Sequence, residues 1–221
     1  MRLFSNYRFL LICPLLFTCS YASASIIHIN SQAGLSVFVP PGFSTTTVAV
    51  TPHPLWQPNH PTNPGDPADH SAVWIAHQSS GYGDSQFQPY MGSNPVAKIF
   101  FNFVSGAGNL ILKVWADDTA DVYLDGNPLV TGNFTQNICA NGSLGCEPNE
   151  FVLLNVPLAA GSHTLQFNLY QVGITTDSFT NPTGILFTGT APAHAPEPAS
   201  LALSGLALVA GAHWLRRNRS F

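Results

Sequence analysis

The chain is expected to fold as an all-β protein, an antiparallel β-sandwich of jelly-roll type. Three observations predict it. Charged residues make up only 8% of the 221, while Gly and Pro number 18 each, a turn-rich composition that disfavours helix. Short runs alternate apolar and polar residues with period 2, most clearly Thr164–Tyr170, where Leu165, Phe167 and Leu169 share a face. Between the two ends of the chain no long capped run shows a helical period.

In order, the strand candidates are Ile26–Asn30, Leu35–Val39, Thr46–Val50, Ala72–His77, Lys98–Phe103, Leu110–Ala116, Ala120–Leu124, Phe151–Val156, His163–Tyr170 and Gly184–Phe187. Turn residues separate them. Residues 51–70 hold six prolines, which cannot donate to a ladder, so this stretch reads as a long surface loop. Trp74, inside an apolar run, reads as core. Trp56, on the loop, reads either as core or as a platform for a sugar ring. His60, Asp66, Asp69, His70 and His77 lack the spacing of a compact ligand set, so scattered loop histidines are the preferred reading. Residues 78–94 form a second polar, aromatic loop.

The two ends differ from the body. Arg2 and Arg8 precede an apolar run, and Ala22-Ser23-Ala24 is an A-x-A cleavage pattern, so residues 1–24 read as a secretory signal peptide. The run is too short for a membrane span. Export places Cys139 and Cys146 in an oxidising compartment, where a small disulfide loop is expected; a metal pair is the alternative. The body is taken as residues 25–190. Its only bases are Lys98 and Lys113, against ten acids. Such a surface repels phosphate backbones and excludes nucleic acid as a partner. A divalent cation or a neutral sugar suits it better.

Chemistry concentrates at residues 114–126, V-W-A-D-D-T-A-D-V-Y-L-D-G, where Asp117, Asp118, Asp121 and Asp125 crowd a joint between two strands. This knot is expected on a solvated loop at the edge of a sheet. Like charges this close repel unless solvated or shared with a cation. Asp117, Asp118 and Asp121 are hard oxygen ligands that suit Ca²⁺. The alternative is that they cap strands and stay hydrated. Asp125, followed by Gly126, reads as a turn residue.

That stretch resembles a segment of two groups of sandwich domains, the galactose-binding-like jelly rolls and the protective-antigen-type adhesin modules. The G-S-H-T-L-Q-F run at 161–167 is similar to a strand of the same folds. The resemblance implies that Asp117 and Asp118 hold Ca²⁺, which in turn holds sugar hydroxyls; together with the loop residue Trp56 they are the candidate glycan contacts. This chain departs at Thr119-Ala120-Asp121, where the modules carry glycine and a basic or aromatic residue.

At the carboxyl end, a linker at 191–198 ends in Pro196-Glu197-Pro198. An apolar run follows at 199–215, at the low limit of length for spanning a bilayer as a helix, and then a basic tail at 216–221. The order resembles the PEP-CTERM sorting signal of Gram-negative bacteria. It implies an exosortase as partner, transient anchoring in the inner membrane, and a final place at the cell surface or in the extracellular matrix. The leading expectation is a non-enzymatic, exported protein associated with exopolysaccharide, binding glycan through Ca²⁺. A secreted glycoside hydrolase using Asp117 with Glu147 or Glu150, or a matrix component without ligand, are the alternatives. No nucleophile or zinc-hydrolase motif is present.

Overall fold

Alternation along the sequence becomes alternation of burial in the folded chain, because successive strand residues point to opposite faces. The computed structural model describes residues 25–194 apart from 41, 67, 85–93, 135–143 and 173–176, together with 205, 207 and 208. Residues 24–195 pack as one unit. Its strands are β1 (Ile26–Asn30), β2 (Ser36–Val39), β3 (Phe43–Thr46), β4 (Val48–Ala49), β5 (Ile75–Ala76), β6 (Ala97–Ser105), β7 (Gly108–Asp117), β8 (Thr119–Leu124), β9 (Asn127–Val130), β10 (Val152–Leu158), β11 (Gly161–Tyr170) and β12 (Gly184–Pro192). They form two sheets of six, antiparallel throughout, so the fold is the all-β antiparallel sandwich that the composition and periodicity predict.

The first sheet runs β10-β7-β12-β5-β4, with β1 also paired to β12; the second runs β3-β2-β6-β11-β8-β9. The core lies between them. Leu110, Leu112, Val114, Ile185 and Phe187 from one sheet meet Ile99, Val122, Leu165, Phe167 and Leu169 from the other. Phe167 and Phe187 stack across the gap, centroids 4.4 Å apart. A second apolar cluster, Trp56, Trp74, Trp115, Leu186 and Cys146, covers the outer face of the first sheet. β12 is therefore buried on both faces over almost its whole length.

Several boundaries move, each for a visible reason. Thr46–Val50 is broken at Thr47, whose amide donates to the Leu35 carbonyl at 2.8 Å. The chain changes sheets there, from β3 to β4. Ala72–His77 shrinks to two residues because the Val73 amide goes to Ser31 and the Trp74 amide to the Asn59 side chain. Gly184–Phe187 extends to Pro192 because β1 pairs along it. β9 follows the turn at Asp125 and Gly126, which take φ of 51° and 79°. Asp125 serves that turn: its Oδ1 accepts the Thr164 amide at 2.8 Å, and His163 Nδ1 lies 2.7 Å from Oδ2.

Register sorts the connections by length. The ends of β5, β7 and β11 and the starts of β6, β8, β10 and β12 lie at one end of the sandwich. The long connections 77–96, 131–151 and 171–183 leave from this loop end. The opposite end carries the tight turns at 106–107, 125–126 and 159–160. The segment 1–24, Cys139 and Pro196-Glu197-Pro198 lie outside the described residues, as does most of 199–215. Among the described residues no helix is long and apolar enough to cross a membrane.

The stacked phenylalanines bind the two sheets, so Phe167→Ala should cost about 3–5 kcal/mol, the range for an aromatic truncated in a core. Urea unfolding followed by tryptophan fluorescence checks it, with a lowered midpoint at unchanged slope.

Candidate functional site

β7 and β8 are separated by one residue, Asp118, yet lie in different sheets. Asp117 is the last residue of β7 and pairs with Gly184 of β12. Thr119 opens β8 and pairs with Tyr170 of β11. The Asp118 amide donates to the Tyr170 carbonyl at 3.3 Å. The peptide between Asp117 and Asp118 is cis. The acidic knot is thus an arch between two sheets, not a solvated loop at a sheet edge. Asp117, Asp118 and Asp121 are all buried, Asp118 to 1% exposure.

Strand alternation separates Asp121 from the other two carboxylates, while Asp117 and Asp118 stay neighbours. Asp117 follows Trp115 onto the outer face of the first sheet, where Trp56 Nε1 donates to its Oδ2 at 2.7 Å. Asp118 turns toward the second sheet and accepts the Val172 amide. Asp121 lies on the outer face of the second sheet. Its Oδ2 accepts the Tyr170 hydroxyl at 2.6 Å and the Tyr123 hydroxyl at 3.2 Å, and its Oδ1 accepts the Gly132 amide at 2.8 Å. Asp121 is used by these donors and does not converge with the other two. Among the described residues no three His, Cys, Asp or Glu side chains gather as a metal site. The expected set of Asp117, Asp118 and Asp121 is therefore corrected to a pair.

Trp56 is corrected as well. It is 3% exposed and packs against Trp74 with centroids 4.2 Å apart, so it offers no face to a sugar. Gly184 permits this packing, since a Cβ there would sit 3.2 Å from Trp74 and 3.4 Å from Trp56. The loop residues go elsewhere too. Asp66 and Asp69 flank His28, at 3.3 and 2.8 Å from its two ring nitrogens, and His70 faces the His60 carbonyl. Glu150 accepts the Glu147 amide within its own turn.

Burial decides the electrostatics of the pair. Loss of water pushes the Asp117 carboxyl well above its usual range; the neighbouring Asp118 raises it further, and the Trp56 hydrogen bond opposes. Burial likewise pushes Asp118 up to about 6, against the Val172 and Asp117 hydrogen bonds. No Lys or Arg pairs with either carboxylate among the described residues.

Polar groups that sequence reasoning passed over surround the arch. Gln171 continues β11 and is buried; its Nε2 donates to the Asn181 carbonyl at 3.0 Å, but its Oε1 is unpartnered. Thr183 directly precedes Gly184, is buried, and its hydroxyl is unpartnered. His77 directly follows β5, and its Nδ1 is unpartnered; burial lowers its pKa to about 4, so it is neutral. Among the described residues, three of the five unpartnered buried polar atoms thus lie at the loop end. Strand register puts two of them beside the arch: Tyr170, which precedes Gln171, pairs with Thr119, and Gly184, which follows Thr183, pairs with Asp117. No sequence motif marks Gln171 or Thr183, because only pairing between distant strands brings them level with Asp118.

Residues 194–219 match the PEP-CTERM protein-sorting motif. This agrees with the reading of Pro196-Glu197-Pro198, and such a motif marks a chain for export and exosortase processing. No match is found among curated proteins. Solved structures of similar shape include a family 35 carbohydrate-binding module from Clostridium thermocellum, 11% identical over 75% of this chain and 98% of that one, with a TM-score of 0.35. A module of the same family from Paenibacillus barcinonensis is 12% identical over 76% and 98%, with a TM-score of 0.34. A β-(1,4)-mannanase from Podospora anserina is 11% identical over 80% of this chain but only 29% of its own, with a TM-score of 0.35. Likeness of this degree assigns no ligand.

An acid whose pKa is raised by folding favours the native state while protonated. Its contribution is full at low pH and is lost as pH climbs through the folded value. In chelator, the melting temperature should therefore fall between about pH 4 and pH 7. Asp118→Asn, which keeps an acceptor for Val172, should flatten that fall; equal slopes in calorimetry would contradict the electrostatics described.

Proposed function

We propose, for a chain that carries a PEP-CTERM sorting motif, that its sandwich is an exported glycan-binding domain whose buried aspartate pair works through Ca²⁺. The protein is delivered by an exosortase route to the surface or extracellular matrix of a Gram-negative cell, where exopolysaccharide is its partner. One observation carries the reading. Asp117 and Asp118 are buried side by side with no basic partner among the described residues, at the level in the sheets where Gln171 and Thr183 carry unpartnered oxygens. Two buried like charges are costly unless a proton or a cation joins them.

Asp117, Asp118, Gln171 and Thr183 are the residues that would hold the ion. When bound, Ca²⁺ supplies positive charge and open coordination positions for vicinal sugar hydroxyls. The protein's own groups do the positioning. The Trp56 indole fixes the Asp117 carboxylate, the Val172 amide fixes Asp118, and burial excludes competing water. The net acidity of the body favours a neutral over an anionic glycan.

A second reading, a matrix component without ligand, is favoured by the same low exposure. The two carboxyls share a hydrogen bond, and a proton alone satisfies them.

Calcium titration separates the readings. At about a hundredfold excess over Kd the melting temperature should rise by about 5–10 °C at pH 7.5, and Asp118→Asn should abolish the rise. Pull-down on neutral polysaccharides should then require Ca²⁺ and be reversed by chelator. An unchanged melting temperature at millimolar Ca²⁺ favours the matrix component.

A further inference from the structure

With Trp56 indoors, the aromatic surface of the loop end lies elsewhere. Three connections bring together His53, Tyr82 and Phe179. His53 meets Tyr82 edge to face at 4.7 Å, and Tyr82 meets Phe179 edge to face at 5.3 Å. Phe179 ends this ladder and is 57% exposed. One exposed apolar side chain is ordinary in itself; here the backbone beneath it is built to hold it. The Phe179 amide donates to Asp177 Oδ1 at 3.1 Å, and the Asp177 carbonyl accepts the amides of Thr180 and Asn181 at 3.0 and 2.7 Å. The Ser178 carbonyl accepts the Gly83 amide, and its hydroxyl donates to the Asp84 carbonyl. Gly83 takes φ +76°, and a Cβ there would sit 3.3 Å from the Phe179 ring, so glycine is what lets the ring lie against this turn.

The segment leads to the aspartate pair. From Phe179 the chain passes Asn181, whose carbonyl holds Gln171, and reaches Thr183, whose amide donates to Ser80. Gly184 follows and pairs with Asp117. At the other end of the ladder, the His53 carbonyl accepts the amide of Trp56, whose indole holds Asp117. Ladder and carboxylates thus belong to one framework.

Size and charge select the occupant. A stable protein interface needs about 800 Å² per partner; among the described residues the ring is bordered by exposed Gly83, Asp177 and Thr180, which do not supply it. A pyranose ring has an apolar C–H face of matching size. Asp84 and Asp177 beside the ring oppose a uronate and leave a neutral sugar.

We propose that Phe179, backed by Tyr82, is the aromatic platform that stacks a neutral pyranose ring of the glycan engaged at Asp117 and Asp118. This rests on the glycan-binding reading above, and it makes Phe179, instead of Trp56, the stacking residue.

The full-length chain is tested by affinity electrophoresis in gels containing galactomannan, dextran or polygalacturonate, with Ca²⁺. Phe179→Ala should weaken retention by a neutral polysaccharide about tenfold or more. Phe179→Tyr should restore it. The calcium-induced rise in melting temperature should survive in Phe179→Ala and vanish in Asp118→Asn. Undiminished retention of Phe179→Ala, preference for polygalacturonate, or self-association that Phe179→Ala abolishes would each overturn the proposal. Absence of retention of the unaltered chain in every gel would instead remove the glycan reading on which it stands.

Discussion

A β-strand makes its hydrogen bonds only within the plane of its own sheet. β7 and β8 belong to different sheets and are one residue apart, so the chain crosses the thickness of the sandwich at Asp118. Everything at the loop end follows from that crossing. It pulls two adjacent carboxylates out of water, and each is met by a donor from a connecting segment: the Trp56 indole on one side, the Val172 amide on the other. The long connections are docked onto the arch because the arch needs their donors.

The second apolar cluster is the other half of this arrangement. The proline-rich loop does not lie loose on the surface; it lays Trp56 against Trp74 over the outer face of the first sheet, beside Trp115 and Leu186. β12 becomes a strand with no wet face, and Gly184 makes room for both indoles. Burying these rings removes an apolar surface of the order of 150–250 Å² each from water, which offsets part of the ordering cost of a loop already stiffened by proline. The same docking leaves oxygens of Gln171 and Thr183 in the interior without partners among the described residues.

Much of this protein was legible in one dimension, and the limits of that legibility have a physical basis. Periodicity of 2 identifies strands because it depends only on a residue and its near neighbours; Leu165, Phe167 and Leu169 face inward as their spacing requires. The turn at Asp125-Gly126 and the sorting motif at the carboxyl end are equally local. The destination of a side chain is not local. Asp121 is three residues from Asp118 and reads as its partner, but a strand sends it to the far face of the other sheet, to Tyr170 and Tyr123. Trp56 on its proline-rich loop reads either as core or as a sugar platform, and the sheet that decides for core comes from residues about 60 and 130 positions further on. The sequence alone determined an exported, antiparallel β domain with a sorting tail and an adjacent pair of acids. Only tertiary structure decided that the acids are buried, that Gln171 and Thr183 come level with Asp118, and that Phe179 stands outside, because pairing between distant strands sets which residues are neighbours.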